Sequence, residues 1–258
     1  MKGFSSPRIL SGEGAIEKAA VNFTHAVGQS LPEAVSDSRK SLSGLPFEAV
    51  SLSVIVHPLN PFIPTTHMNL RLFVVHKDNP VWHFGGGYDL TPFYGFEEDA
   101  VLWHSGARNA SAENYARMKK DCDSYFYLPH RGEHRGIGGL FFDDFNSASF
   151  ESTLALVERI GNSFLPLYEE IFTSKNKLNF SEQNRQFQLF RRGRYVEFNL
   201  LHDRGTKYGL QSGRKVENVL ASMPPLVSWV YNYPILEGSP EHRLTNFFLK
   251  PRNWLKES

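Results

Sequence analysis

Cysteine is almost absent: Cys122 is the one cysteine in 258 residues. No disulfide can form within the chain, which fits a reducing compartment. Long apolar runs are missing too. No stretch approaches the ~18 consecutive apolar residues of a membrane span, and the opening MKGFSSPRIL has no apolar core of signal-peptide length. A cytoplasmic protein with no membrane span is therefore expected. An excess of one charge is also lacking, since 28 Lys and Arg stand against 27 Asp and Glu, for a net +1. Nucleic-acid binders usually show a basic stripe, and the basic knot here is Arg191-Arg192-Gly193-Arg194. No nucleic-acid partner is expected. There is no Ser/Gly tract, charge block or internal repeat to mark a linker, so a single domain over residues 1–258 is expected. Gly85-Gly86-Gly87 lacks the Lys-Ser/Thr ending of a phosphate loop, and no G-x-S-x-G elbow supports a serine hydrolase.

What is present concentrates between His57 and Gly95. Pro58, Pro61 and Pro64 forbid regular structure between two apolar runs, because each fixes φ and lacks an N–H. Glu48 to His57 alternates as a strand, with Ser51, Ser53 and His57 on one face and Val50, Leu52, Val54 and Val56 on the other. Met68 to Val75 repeats the pattern: His67, Asn69 and Arg71 share one face, and Met68, Leu70 and Leu72 the other. Val81 to Phe84 follows a turn at Asp78-Asn79-Pro80, with Asp89 read as a turn residue, and Gly136 to Phe142 is a further sheet segment. Arg194 to Asp203 also alternates and reads as a strand, turning at Arg204-Gly205-Thr206 into a hairpin through Gln211.

Helices are expected over Glu97 to Arg108, Ala112 to Tyr125, Phe150 to Phe172 and Lys215 to Ser222, with a terminal one from Ser239-Pro240 to Leu249. Pro166 should kink or split the third of these. Residues 1–47 are least informative. The sum is an α+β fold, a mostly antiparallel sheet covered by helices.

Polar residues recur on one strand face: Ser53 and His57; His67, Asn69 and Arg71; Glu197, Asn199 and Asp203; and Asp143 or Asp144. A solvated sheet face is the plain alternative. Such faces favour Lys, Glu and Thr, whereas these strands carry His, Asn, Arg and Asp. A lined cavity accounts for that choice. Arginine there matches carboxylate or phosphate, and aspartate needs a donor or cation. The pair suits a ligand with carboxylates and N–H groups. His57, His67, His104 and His130 lie near element ends, at spacings that give little support to a metal site. Cys122, on a helix stripe, reads as core.

The blocks HPLNPFIPTTHMNLRLF, WHFGGGYDLTPFYGFEEDA, YFYLPHRGEHRGIGGLFFDDFN, RRGRYVEFNLLHDRGTKYGLQSG and ENVLASMPPLVSW closely resemble the oxygen-dependent coproporphyrinogen III oxidases, from about Ala20 to Trp254. The resemblance implies a large, flat antiparallel sheet covered by helices on both faces. It also implies oxidative decarboxylation of two propionates of coproporphyrinogen III to vinyl groups, giving protoporphyrinogen IX in haem biosynthesis. Molecular oxygen would be the oxidant, with no organic cofactor. Matched positions are Ser53 and Asn69-Leu70-Arg71 for substrate, and His67 as proton donor. His57, His67, His104 and His130 match positions assigned to a divalent metal ion. Asp89 and Asp203-Arg204 match positions implicated in substrate binding or catalysis, and Tyr195 to Tyr231 those of homodimer contacts. Either aspartate could take a pyrrole N–H proton. A peroxide formed on the ring would then remove a propionate β-hydrogen as CO₂ leaves. Two departures stand out: the family's Trp-Trp-Phe is Trp82-His83-Phe84, and its substrate-binding Gly-Gly-Arg loop is Gly213-Arg214-Lys215. Two rivals are a non-haem iron oxygenase using His57, His67 and a carboxylate, and a tetrapyrrole-binding protein without catalysis.

Overall fold

The alternating segments pair in chain order. In a computed structural model of the protein, which describes residues 2–12, 14–31, 42–211 and 215–255, they form a six-stranded antiparallel sheet. Its strands are β1 (Lys2–Ser11), β2 (Ile16–Gly28), β3 (Phe47–Pro58), β4 (Thr65–Val75), β5 (Val81–Thr91) and β8 (Gly138–Phe145), adjacent in that order. β6 (Tyr127–Leu128) and β7 (Glu133–His134) make a separate small ladder. The main helices are α1 (Glu97–Ser111), α2 (Tyr115–Tyr125), α3 (Phe150–Lys175), α4 (Glu182–Leu201) and α5 (Arg204–Gln211). Short turns follow as α6 (Val216–Val219) and α7 (Pro240–Arg243), the latter continuing as a π-helix over Leu244–Phe248. The α+β class expected from the sequence is the one found.

Register sorts the sheet into two unlike faces. Ser51 opposes Arg71, Ser53 opposes Asn69, and across the next pair His67 opposes Asp89, Asn69 opposes Gly87 and Arg71 opposes Gly85. Directly opposed residues point the same way, so these polar groups share a face. Leu52, Val54, Met68, Leu70, Phe84, Tyr88, Leu90, Leu140 and Phe142 take the other, against Trp103 of α1 and Ile160 and Phe164 of α3. On the polar side, Phe198 of α4 meets Cys122, Phe126 and Leu128 at the β8 end of the sheet, and Tyr195 meets Ala20, Ile55 and Ala221 at the β2–β3 end. Between these two clusters Ser51, Ser53, Asn69 and Arg71 stay half-buried on the polar face.

Several local expectations are corrected. Arg194 to Asp203 is no strand: it ends the 20-residue helix α4, which starts upstream in a capping box where Ser181 Oγ accepts from Asn184 N–H at 3.2 Å. Alternation over ten residues is matched by a helical face of Tyr195, Phe198, Asn199 and His202, and the longer element wins. The expected hairpin through Gln211 is α5. Pro166 neither ends nor splits α3, which runs 26 residues. The missing hydrogen bond costs about 3 kcal/mol, while burying Phe164, Tyr168 and Ile171 around it gives ~1.5–3 kcal/mol each. Much of residues 1–47 forms two strands, and Asp89 lies within β5 rather than in a turn.

β5 crosses the sheet through Gly85-Gly86-Gly87. Gly86 and Gly87 take φ of 141° and 139°, and a Cβ on either would run into the carbonyl oxygen of Asn69 or Leu140 on the flanking strands. Only glycine lets the neighbouring backbones approach this closely. Replacing Gly86 or Gly87 with alanine is expected to destabilise the protein by at least about 3 kcal/mol in urea unfolding, or to abolish soluble expression; wild-type midpoints would show that β5 can shift to make room.

Candidate active site

Strand pairing places His67 beside Asp89 on the polar face. Asp89 is 1% exposed, and its Oδ1 lies 3.0 Å from His67 Nδ1. An isolated buried carboxylate would not remain ionised. Arg135, 2% exposed and just before β8, supplies the counter-charge. Its Nη2 donates to both Asp89 oxygens at 2.7 Å and its Nε to Oδ2 at 3.2 Å, while Nη1 donates to Asn199 Oδ1 of α4 at 3.1 Å. The guanidinium also lies 4.2 Å from the Phe126 ring and 4.7 Å from those of Tyr195 and Phe198. Burial pushes the Asp89 carboxyl up, but the Arg135 charge and the His67 hydrogen bond together hold it below the usual carboxylate range. With Asp89 ionised, His67 carries its proton on Nδ1 when neutral, which leaves the lone pair on Nε2.

Farther along the same face, the Asp143 carboxylate is shared by two arginines. Arg71 Nη2 donates to its Oδ1, and Arg204 Nη2 lies 2.7 Å from its Oδ2. Burial raises the Asp143 carboxyl, and the charges of Arg71 and Arg204 more than reverse this, so that it sits below its ordinary value. Ser53 and Asn69 form the polar rung between this group and His67. Leu70 points to the opposite, apolar face and can offer the polar face only its backbone.

Asp203 is occupied otherwise. Its Oδ1 accepts from Tyr125 Oη–H at 2.9 Å and its Oδ2 from the Thr206 N–H at 2.6 Å, which caps the start of α5. Lys215 is exposed at the start of α6, and Gly213 and Arg214 lie outside the described residues. Glu197, expected on the polar strand face, instead faces the β6–β7 turn, where it accepts from His130, Arg131 and Trp229. The basic knot is spent internally: Arg191 pairs with Glu133, Arg192 with Glu17 and Arg194 with Glu197.

The four histidines matched to a metal do not converge. Both ring nitrogens of His57 are used, Nε2 at 2.9 Å from Ser222 O and Nδ1 at 3.2 Å from Thr65 Oγ1. His104 lies across the sheet, bound to Tyr115 Oη and Ile137 O at 2.9 Å each. Burial, helped for His57 by the charge of Arg192, lowers both to about 3. His130 sits at the surface against Glu197 and His202. His130 and His134 have the H-x₃-H spacing, but across the β6–β7 turn, with His134 Nδ1 at 3.3 Å from Leu249 O. Among the described residues no three His, Cys, Asp or Glu side chains form a group able to hold a metal ion. The donor set does not fit one at these positions.

Sequence reading missed Arg135 as a site residue. The local signal is slight, a basic residue ahead of Gly136, and its partner Asp89 is 46 positions away.

The class is thus an α+β protein whose helix-backed antiparallel sheet carries, on one face, a buried Asp89–Arg135 pair beside His67 and two arginines around Asp143. The family model described as coproporphyrinogen III oxidase matches residues 1–254. The chain belongs to that family, which performs an oxidative decarboxylation of haem biosynthesis.

Asp89→Asn leaves Arg135 buried beside a neutral partner and is expected to cost about 3–5 kcal/mol in urea unfolding. The double change Asp89→Leu with Arg135→Met should recover most of that stability yet no turnover; equal loss from the single and the double variant would show that packing alone matters here.

Proposed function

We propose that the chain catalyses oxygen-dependent decarboxylation of the two propionates of coproporphyrinogen III to vinyl groups, releasing protoporphyrinogen IX. The observation that carries this is the common face of β4, on which His67 and Arg71 stand four residues apart, about 13 Å along a strand, with Ser53 and Asn69 between. The macrocycle can lie along that face with a propionate toward Arg71 and Arg204 and a pyrrole N–H toward His67.

Dioxygen as oxidant is supported by the residues available. One buried cysteine cannot ligate an iron–sulfur cluster of the usual four-cysteine kind, and the chain has no dinucleotide fingerprint. Each step balances as propionate plus O₂ plus one proton giving vinyl, CO₂ and hydrogen peroxide. Carbon loses two electrons to oxygen, one β-hydrogen leaves as a proton, and the carboxyl departs as CO₂. The pyrrole proton must be removed and later returned. Asp89 and Asp203 were the residues expected to do this, but the oxygens of both are engaged inside the protein. His67 Nε2 suits the role better. Asp89 fixes its tautomer, and the imidazolium that forms would lie beside an ionised carboxylate, the logic of an Asp–His pair.

No step is assigned to a metal ion, because the histidine donors do not assemble. The iron reading through His57 and His67 meets the same obstacle, since His57 has no free nitrogen. For the homodimer, exposed Trp229, Val230 and Tyr231 support contacts at the end of the segment from Tyr195 to Tyr231. A cytoplasmic setting accords with the single free thiol.

The test is protoporphyrin fluorescence after oxidation of the product. Turnover should appear in air, vanish under argon and persist after exhaustive chelation. His67→Ala should lower kcat by about 10²–10⁴ while changing KM little. Product under argon, or wild-type kcat in His67→Ala, would overturn the proposal.

A further inference from the structure

Asp143 and Asp144 sit where β5 and β8 fall out of step. Phe84 faces Phe145 and Gly86 faces Phe142, so two residues of β8 span the place opposite Gly85. Asp144 takes φ of 48° there. Bulges of this kind re-aim side chains, and here two successive carboxylates reach different partners, Asp143 the arginines and Asp144 the His83 ring. Asp144 Oδ1 lies 3.3 Å from His83 Nε2, so the second carboxylate has a partner of its own and does not compete for the arginines. His83, one of the two departures from the family pattern, thus acquires a local role.

Asp143 gathers groups from two distant elements and from its own neighbour. Its Oδ1 accepts from Arg71 of β4 and from the Asp144 N–H, and its Oδ2 pairs with Arg204 at the start of α5. Each arginine is seated. A Cβ on Gly85 would lie 2.7 Å from Arg71 Nε and Nη2, so the guanidinium lies directly on the strand backbone. Arg204 lies 5.2 Å from the ring of Tyr125, which stacks on Phe141 at 4.2 Å and 11°. Two guanidiniums around one carboxylate leave a surplus of one positive charge. Their ten N–H donors also exceed what a single carboxylate can accept. Arg71 and Arg204 are 36% and 59% exposed, so their remaining edges are open to a ligand.

We infer that Asp143 is a positioning residue, which holds Arg71 and Arg204 together as one clamp that a substrate propionate completes. The inference rests on the reading that propionates dock on this face. One incoming carboxylate balances the charge, two against two, and can take parallel N–H bonds from both guanidiniums. Without Asp143 the two cations repel, and Arg204, carried by α5 rather than the sheet, moves away. The clamp therefore selects carboxylate-bearing side chains, and filling it ties α5 to the sheet.

Steady-state kinetics on coproporphyrinogen III in air test this. Asp143→Asn should raise KM by about tenfold or more with kcat within about threefold, and Asp143→Glu should restore most of the loss. Arg204→Gln should match Asp143→Asn, and the double variant should be no worse than either alone, because both remove the same clamp. Unchanged or lowered KM in Asp143→Asn overturns the inference, as do multiplicative effects in the double variant. A parallel fall in kcat and urea midpoint without a rise in KM marks a merely structural role and also overturns it. Arg71→Gln separates the two levels. If it leaves KM unchanged, the docking reading itself fails; if it raises KM while Asp143→Asn does not, docking stands and the role of Asp143 falls.

Discussion

An ionised carboxylate in the middle of a sheet is the constraint on which the rest depends. Asp89 has almost no contact with water, and hydrating it is not an option. Arg135 resolves this by bracketing both carboxylate oxygens, and it is itself surrounded by Phe126, Tyr195 and Phe198. Such a pair contributes little net stability compared with apolar side chains of similar volume. Its effect is directional: α2, α4 and the approach to β8 must converge on one guanidinium, and His67 is turned by the charge that results.

The second constraint is parity. Because strand side chains alternate, a single register puts Leu52, Val54, Met68 and Leu70 against α1 and α3 while leaving Ser51, Ser53, Asn69 and Arg71 on the reverse. A slip of one residue would exchange the two sets. The glycines of β5 extend the same logic. They keep that strand flat against its neighbours, and Gly85 leaves the space in which the Arg71 guanidinium lies.

How much of this was legible varied with the distance between cause and effect. β3 and β4 were legible because alternation is a local property, and the polar face they share followed directly. α4 was not, since Tyr195, Phe198, Asn199 and His202 satisfy a helical period inside a stretch that also alternates, and the deciding cap at Ser181 lies upstream. Asp89 read as a turn residue because three glycines precede it. The family resemblance matched the histidine set to metal ligands, yet His57 and His104 are buried neutral groups bound to backbone carbonyls.

By itself the sequence determined the fold class, the polar strand face, the family resemblance and the residues around His67 and Arg71, all of which reside in local pattern or contiguous blocks. Only the tertiary structure decided that Asp89 and Asp203 are internally committed, that Arg135 governs the first of these, and that Asp143 joins Arg71 to Arg204. The physical reason is that charge pairing acts over a few ångströms of space without regard to separation along the chain. Arg135 and Asp89 are 46 residues apart, and Arg71 and Asp143 are 72. No periodicity encodes such a meeting; it exists once the sheet and its covering helices have brought the groups together.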